Sequence, residues 1–367
     1  MRAMLRNLGW GMYGASAWTW CIGMYLPVLL MQWYGWWGFV LIAVPNVIGC
    51  TWMGWRLRTA DASRTFCRRH ATAIRWFAIA TVGFQLLFLS MVTTWFLPET
   101  HPLISNLYVV PLLAFALAWL LAMLPRALWP WLGVATFVVS MSVLGVRLDE
   151  GFTTPTPTRD PIDVIWLAPI FCLGFGLSPW LDAPFHQTLQ ATDDRRAFLV
   201  VGVAFFLLLF ITATYSRLGP ELMRMGVLVH VLVQSIFTLA ANLREVSPAG
   251  VVGGRAGISL MLPLLAPLLP WATGLLMSDP WNATWHTYLR FLALYAVVFP
   301  GIVLFRAMGP PWPLRPGRIA LIIVAMVAAA ACAETGLVHG PAWAAMGSVV
   351  ILLVLWRLGR PTEASTS

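Results

Sequence analysis

The chain has 367 residues, 60% of them hydrophobic and only 10% charged, with a mean hydropathy of +0.79. That is more apolar surface than a water-soluble fold can bury, so the composition excludes a soluble enzyme or binding module and implies an integral membrane protein surrounded by lipids. The net charge of +9 does not indicate a nucleic-acid partner: all 23 basic residues are arginine, and they sit in short segments between apolar runs, where they set topology.

Twelve apolar runs are each long enough to cross a bilayer at about 20 residues per span. They cover 10–32, 35–56, 74–97, 106–124, 128–147, 162–187, 197–216, 222–243, 256–277, 286–308, 318–337 and 341–357. The first is too long for a cleavable signal and reads as a retained helix. With the N-terminus in the cytoplasm, only Arg147, Arg159, Arg217, Arg224 and Arg290 fall outside, and the other arginines fall inside, loop after loop. An even number of crossings then returns the C-terminus to the cytoplasm. The 21 tryptophans suit many membrane–water boundaries. The absence of lysine fits a GC-rich bacterial genome, hence a bacterial cytoplasmic (inner) membrane.

No loop is long enough to fold as a domain. The Thr/Pro-rich segment 149–161 reads as an extended extracytoplasmic linker. It divides a first group of five helices (1–148) from a second (162–309), followed by two further helices and a tail (310–367). Five is odd, so the second group is inverted relative to the first. The predicted architecture is therefore all-α, a five-plus-five inverted repeat plus two.

The first helix of each group carries signs of interruption. Residues 11–27 are rich in small side chains and end near Pro27. Residues 174–186 combine Gly174, Gly176, Ser178, Pro179 and Pro184 with Asp182 and His186 inside an apolar run. Glycine and proline weaken a helical ladder, and an ionisable group at membrane depth must face protein or water. Paired interrupted helices at matching positions of two inverted halves mark a transporter's central site. A small wet chamber between Gly23 and Gly176 is the expectation.

Ala15 to Leu30 resembles the first helix of a symporter, and Tyr34 to Gly49 resembles the second. Together with the layout, they make the chain similar to the leucine-transporter fold of the amino acid–polyamine–organocation superfamily, closest in flavour to the sodium:solute symporters. The resemblance implies alternating access for a small solute, and a sodium ion held by first-helix carbonyls and eighth-helix hydroxyls, here Ser235 and Thr238. The same two hydroxyls also suit plain helix–helix hydrogen bonding.

Candidate solute-binding residues are Trp18, Thr19 and Gly23 at the first interruption, Gln85 on the third helix, and Gly174, Gly176, Ser178, Asp182 and His186 at the second. Asp182 and His186, four apart, share a helical face and read either as a titratable pair at the site or as a cap on the break. His230, Gln234, Thr238 and Asn242 form a polar stripe that should face the bundle. Asn46 beside Pro45 is expected to satisfy a kink. The five cysteines have no metal-ligand spacing and read as apolar fillers. Signatures of hydrolases, phosphate-binding loops and haem attachment are absent from the sequence. No catalytic residue and no cofactor beyond the possible sodium ion is expected. A membrane enzyme using Asp182 and His186 on a lipid-linked substrate, and a transporter fold kept as a sensor or assembly subunit, are the alternatives.

Overall fold

The computed structural model describes residues 1–96, 108–145, 156–214, 220–252, 257–268, 280–307 and 316–358. The start of the expected linker, the second half of the expected ninth span and the C-terminal tail lie outside the described residues.

The order is α1 (Arg2–Trp18), α2 (Cys21–Tyr34), α3 (Trp36–Leu57), α4 (Ala60–Phe96), α5 (Val109–Ala122), α6 (Trp129–Gly145), α7 (Asp163–Leu177), α8 (Ala183–Thr192), α9 (Ala197–Ala213) and α10 (Pro220–Glu245). A 3-10 segment (Gly257–Leu265) follows. Then come α11 (Pro280–Ala293), which passes through a π turn (Leu294–Val298) into α12 (Phe299–Arg306), then α13 (Pro316–Glu334) and α14 (Ala344–Leu358). Eleven of the twelve expected runs hold one or more of these α-helices, and the described part of the ninth is chiefly the 3-10 segment. Fewer than the expected twelve are long and apolar enough to span as continuous helices. Among the described residues six qualify, or up to eight if each of two bent pairs is one span. The apolar runs were counted across breaks, and α9 and α14 are only 17 and 15 residues long.

The outward faces of the bundle are apolar, and its largely apolar interior also holds polar residues. α3 turns Trp37, Val44, Ile48 and Trp52 outward, α5 turns Leu113, Leu117 and Leu120 outward, and α13 turns Ile323, Val324 and Val327 outward. Such faces need lipid around them. The polar residues Asn46, Gln85, Ser140, His230, Gln234, Ser235, Thr238 and Asn242 are almost fully buried. The eighth-run stripe therefore faces the bundle, where other polar groups can satisfy it.

α1 packs on α6, α8, α9 and α10. α7 packs on α3 and on the π turn and α12. α10 packs on α4, α5 and α6, α4 on α8 and on the 3-10 segment, and α3 on α9. Gly49 shows why α3 and α7 approach so closely: a Cβ there would overlap the Phe175 carbonyl.

One end of the bundle gathers the N-terminus of α1 and the α3–α4, α5–α6, α8–α9 and α10 turns. Arg6 donates to the Thr192 carbonyl at 2.8 Å, Asn7 to Asp194 at 2.7 Å, and the Ala60 N–H to Asp193 at 2.7 Å. Asp194 is pushed up by desolvation. The Arg196 N–H, the Asn7 amide and the charges of Arg196 and Arg6 outweigh that and hold it below the ordinary carboxylate value. At the other end, the backbone N–H groups of Thr158 and Arg159 bond the carbonyls of Gln32 and Trp33. Arg159 lies over the Trp33 ring at 3.7 Å, and Arg290 pairs with Glu334 at 2.8 Å. The basic stretch 60–70, between the second and third expected runs, is helical and joins the third span at a kink at His70.

Candidate functional site at the two helix breaks

The first interruption lies at the Trp18–Thr19 part of the expected stretch 11–27. Gly23 and Pro27 both lie inside α2. The helix opens at Thr19 and Trp20, and α1 and α2 bend by 64°. Trp20 is extended (φ −94, ψ −168), which leaves the first N–H groups of α2 and the last carbonyls of α1 in need of partners.

Side chains from two other helices supply them. Gln85 of α4 accepts from the Cys21 N–H at 2.7 Å and donates to Ser235 of α10 at 2.6 Å. The Thr238 hydroxyl of α10 lies 3.4 Å from both the Ser16 and the Ala17 carbonyl oxygens. Thr19 turns its own hydroxyl back to the Ala15 carbonyl at 2.8 Å. Gln85, Ser235, Thr238 and the open turn of the first helix are thus brought together.

The second interruption runs from Ser178 to Asp182, a 3-10 turn that ends in extended backbone at Asp182 (φ −80, ψ 113). Gly174 and Gly176 lie within α7, ahead of it. Pro179 and Pro184 both sit in first turns, where a missing N–H costs nothing. Ser178 donates to the Tyr295 carbonyl at 3.0 Å. Asp182 is the N-cap of α8 and accepts from the Phe185 N–H at 3.1 Å.

His186 makes no ion pair with Asp182. Its Nε2 is 3.0 Å from the Trp180 carbonyl, and its Nδ1 is 2.9 Å from the Ser63 hydroxyl. A carbonyl can only accept, so Nε2 carries the hydrogen. Ser63, which accepts from Gln190 at 3.1 Å, completes a neutral imidazole by donating to Nδ1. The two side chains serve different partners and do not bond each other in this structure.

The expected wet chamber is filled by rings. Trp18 meets Phe185 at 5.0 Å and stacks on Phe77 at 6.3 Å, while Trp20 meets Tyr295 edge-on at 4.4 Å. Among the described residues, a cavity of about 20 Å³ lies beside Ile22, Phe171, Gly174 and Tyr295, about one water molecule in size. Gly23 turns its open side to Phe205 and Leu209 of α9, whereas Gly176 has nothing within 4 Å. These two glycines therefore do not share one pocket. The Trp18 indole N–H is also committed, donating to Asn46 at 2.7 Å. Asn46 thus serves the first break rather than its own proline kink.

Sequence reasoning missed Glu245. The eighth run ends at 243 because Arg244 and Glu245 are charged, yet the helix continues and both are buried, 5% and 1% exposed. Glu245 accepts from the Tyr13 hydroxyl at 3.2 Å and the Val251 N–H at 3.1 Å, with Arg244 at 3.5 Å. The available signal was the stripe itself: Glu245 lies three residues after Asn242.

No family model matches the chain, and no curated protein matches it. Among solved structures it is similar to a manganese transporter of Eremococcus coleocola in complex with an aromatic bis-isothiourea substituted compound. The TM-score is 0.43 at 13% identity, covering 97% of this chain and 92% of that one. Two single-residue variants of that transporter give a TM-score of 0.39 at 12% identity, covering 98% and 94%. Likeness at this level identifies neither a fold family nor a cargo.

Proposed function

We propose that the chain is a secondary transporter of a small solute that works by alternating access, has the leucine-transporter fold and stands here with its centre closed. The observation that carries the reading is the pair of helix breaks, each the first span of its group, meeting through Trp18 and Phe185. The packing supports two related halves. Exchange α1/α2 with α7/α8, α3 with α9, α4 with α10, α5 with the 3-10 segment, and α6 with the π turn and α12. The contact of α1 with α6 becomes that of α7 with α12, and α1 on α9 becomes α7 on α3. Likewise α5 on α10 becomes the 3-10 segment on α4. The arginine-rich end is the cytoplasmic one in this reading.

Sodium is the candidate coupling ion. Thr238 and the Ser16 and Ala17 carbonyls form a set of neutral oxygens whose 3.4 Å spacing is longer than a good O–H···O bond. A sodium ion drawn between them satisfies all three. Ser235 is held by Gln85 in this state and joins only if that bond opens. The manganese named for the similar structures has no support here: among the described residues no group of three His, Cys, Asp or Glu is placed to hold a metal.

The test is melting of the purified protein in sodium against potassium. A bound ion raises the melting temperature by mass action, and Thr238→Ala should abolish the difference. Sodium-driven uptake of a panel of labelled small solutes into proteoliposomes tests transport. If neither is seen, the sealed aromatic centre instead favours the sensor or assembly-subunit reading.

A further inference from the structure

The largest cavity among those described is not at the breaks. It lies at the arginine-rich end, where the α5–α6 turn meets the end of α10, and has a volume of about 440 Å³. That is within the range of ligand pockets. Two guanidinium groups, Arg126 and Arg244, line it, and none of its lining residues is acidic. Trp119, Met123 and Leu260 supply apolar wall.

Arg244 is 5% exposed and held in place. Nη1 donates to the Leu124 carbonyl at 3.1 Å, and the guanidinium lies 5.3 Å from the Trp129 ring. Its Nε is buried and faces the Glu245 carboxylate, so the pocket meets the outer end of the guanidinium. Glu245, 3.5 Å away, already accepts one hydrogen bond on each oxygen, from Tyr13 and Val251. Arg126 is exposed, and with the Gln187 carbonyl oxygen turned toward it, it donates from Nε and Nη2 at 2.7 Å each. Two arginines stand against one already-bonded carboxylate, so the pocket carries an excess positive charge. Guanidinium groups lining a pocket without acidic residues stabilise an anion, and phosphate matches the guanidinium fork.

The wall identifies where that phosphate comes from. Met123 is 68% exposed and ends the outward face of α5, whose Leu113, Leu117 and Leu120 are turned to lipid. The pocket thus continues the outward apolar face of α5 at the arginine-rich end of the bundle. We propose that it binds the phosphate of an anionic phospholipid, with Arg126 and Arg244 as its two ligands and the acyl chains along α5. This is independent of whether the breaks carry a solute.

The test is lipid retention by native mass spectrometry, with phosphatidylglycerol and phosphatidylcholine offered in equal amounts to the detergent-purified chain. The net positive pocket should keep one phosphatidylglycerol in preference. Arg126→Gln, at an exposed position that leaves the buried Arg244–Glu245 pair in place, should weaken retention roughly tenfold, as expected for losing one charged hydrogen-bond donor. Arg64→Gln, the same charge loss at the Asp61 pair, should leave it unchanged. Equal retention of the two lipids, or no effect of Arg126→Gln, would overturn the proposal. Displacement of the lipid by millimolar inorganic phosphate would overturn the lipid assignment in favour of a soluble phosphate.

Discussion

At the scale of single residues, the site is held by side chains that satisfy opened backbone. Gln85 is the central one, because it bonds both the Cys21 N–H and Ser235. Gln85→Ala leaves a buried N–H unpaired, and the expected cost is about 1–3 kcal/mol, read as a lower unfolding midpoint in detergent. Gln85→Glu, if it stays protonated, keeps a carbonyl acceptor for Cys21 and has an O–H to donate to Ser235, so it should cost less. Asp182 separates structure from function. As a cap, Asp182→Ala should cost about 1 kcal/mol and Asp182→Asn only a few tenths. If Asp182→Asn keeps stability but stops solute uptake, the charge is needed for transport; if uptake persists, Asp182 only caps. Gln85 and Thr238 were legible in the sequence because a polar residue inside an apolar run must find a partner. Tyr13 and Trp18 were less so, since an aromatic residue in a membrane helix fits equally well against lipid, against protein or beside a solute.

At the scale of elements, glycine marks two different things, and sequence does not separate them. The breaks were expected within 11–27, beside Trp18 and Thr19, and within 174–186; the chain opens inside those stretches, at Thr19–Trp20 and at Ser178–Asp182, while Gly23, Gly174 and Gly176 stay in helix. Gly49 and Gly176 show the distinction. A Cβ on Gly49 would meet the Phe175 carbonyl, which cannot move without parting α3 from α7. Gly49→Ala should therefore destabilise by about 1–3 kcal/mol. A Cβ on Gly176 meets nothing within 4 Å, and alanine has the higher helix propensity, so Gly176→Ala should stabilise by up to about 1 kcal/mol. Measuring both melting temperatures checks the pair, and a loss of stability in Gly176→Ala would mean that the open side of α7 is packed. The α1 to α8–α9 junction adds a pH test. Asp194 sits below its ordinary value, so its contribution is full above about pH 4 and is lost as pH falls through the lower folded value. Asp194→Asn should remove that part of the acid limb of a stability–pH profile.

At the scale of the whole molecule, two patterns were legible for one reason: membrane insertion acts on crude quantities. The apolar composition and the alternation of arginines survive small errors in helix ends, whereas the count of twelve spans is not reproduced: among the described residues six helices qualify, or up to eight with the bent pairs. Arg6, Ala60, Arg126, Asp193 and Arg244 do meet at one end, and Gln32, Arg159 and Glu334 at the other. The filled centre was not legible, because closing it depends on ring orientations. Orientation can be measured directly. Ala249 and Thr156 are exposed at opposite ends, and Cys21, Cys50 and Cys67 are buried. In a chain with Cys172 and Cys332 replaced by serine, Thr156→Cys should react with a membrane-impermeant maleimide added to intact cells stripped of any outer membrane. Ala249→Cys should react only after permeabilisation. Labelling of both from one side would break the assignment of ends, whereas reversal of the two would keep the bundle and invert it in the membrane. Inversion would place the pocket of Arg126 and Arg244 at the outer leaflet.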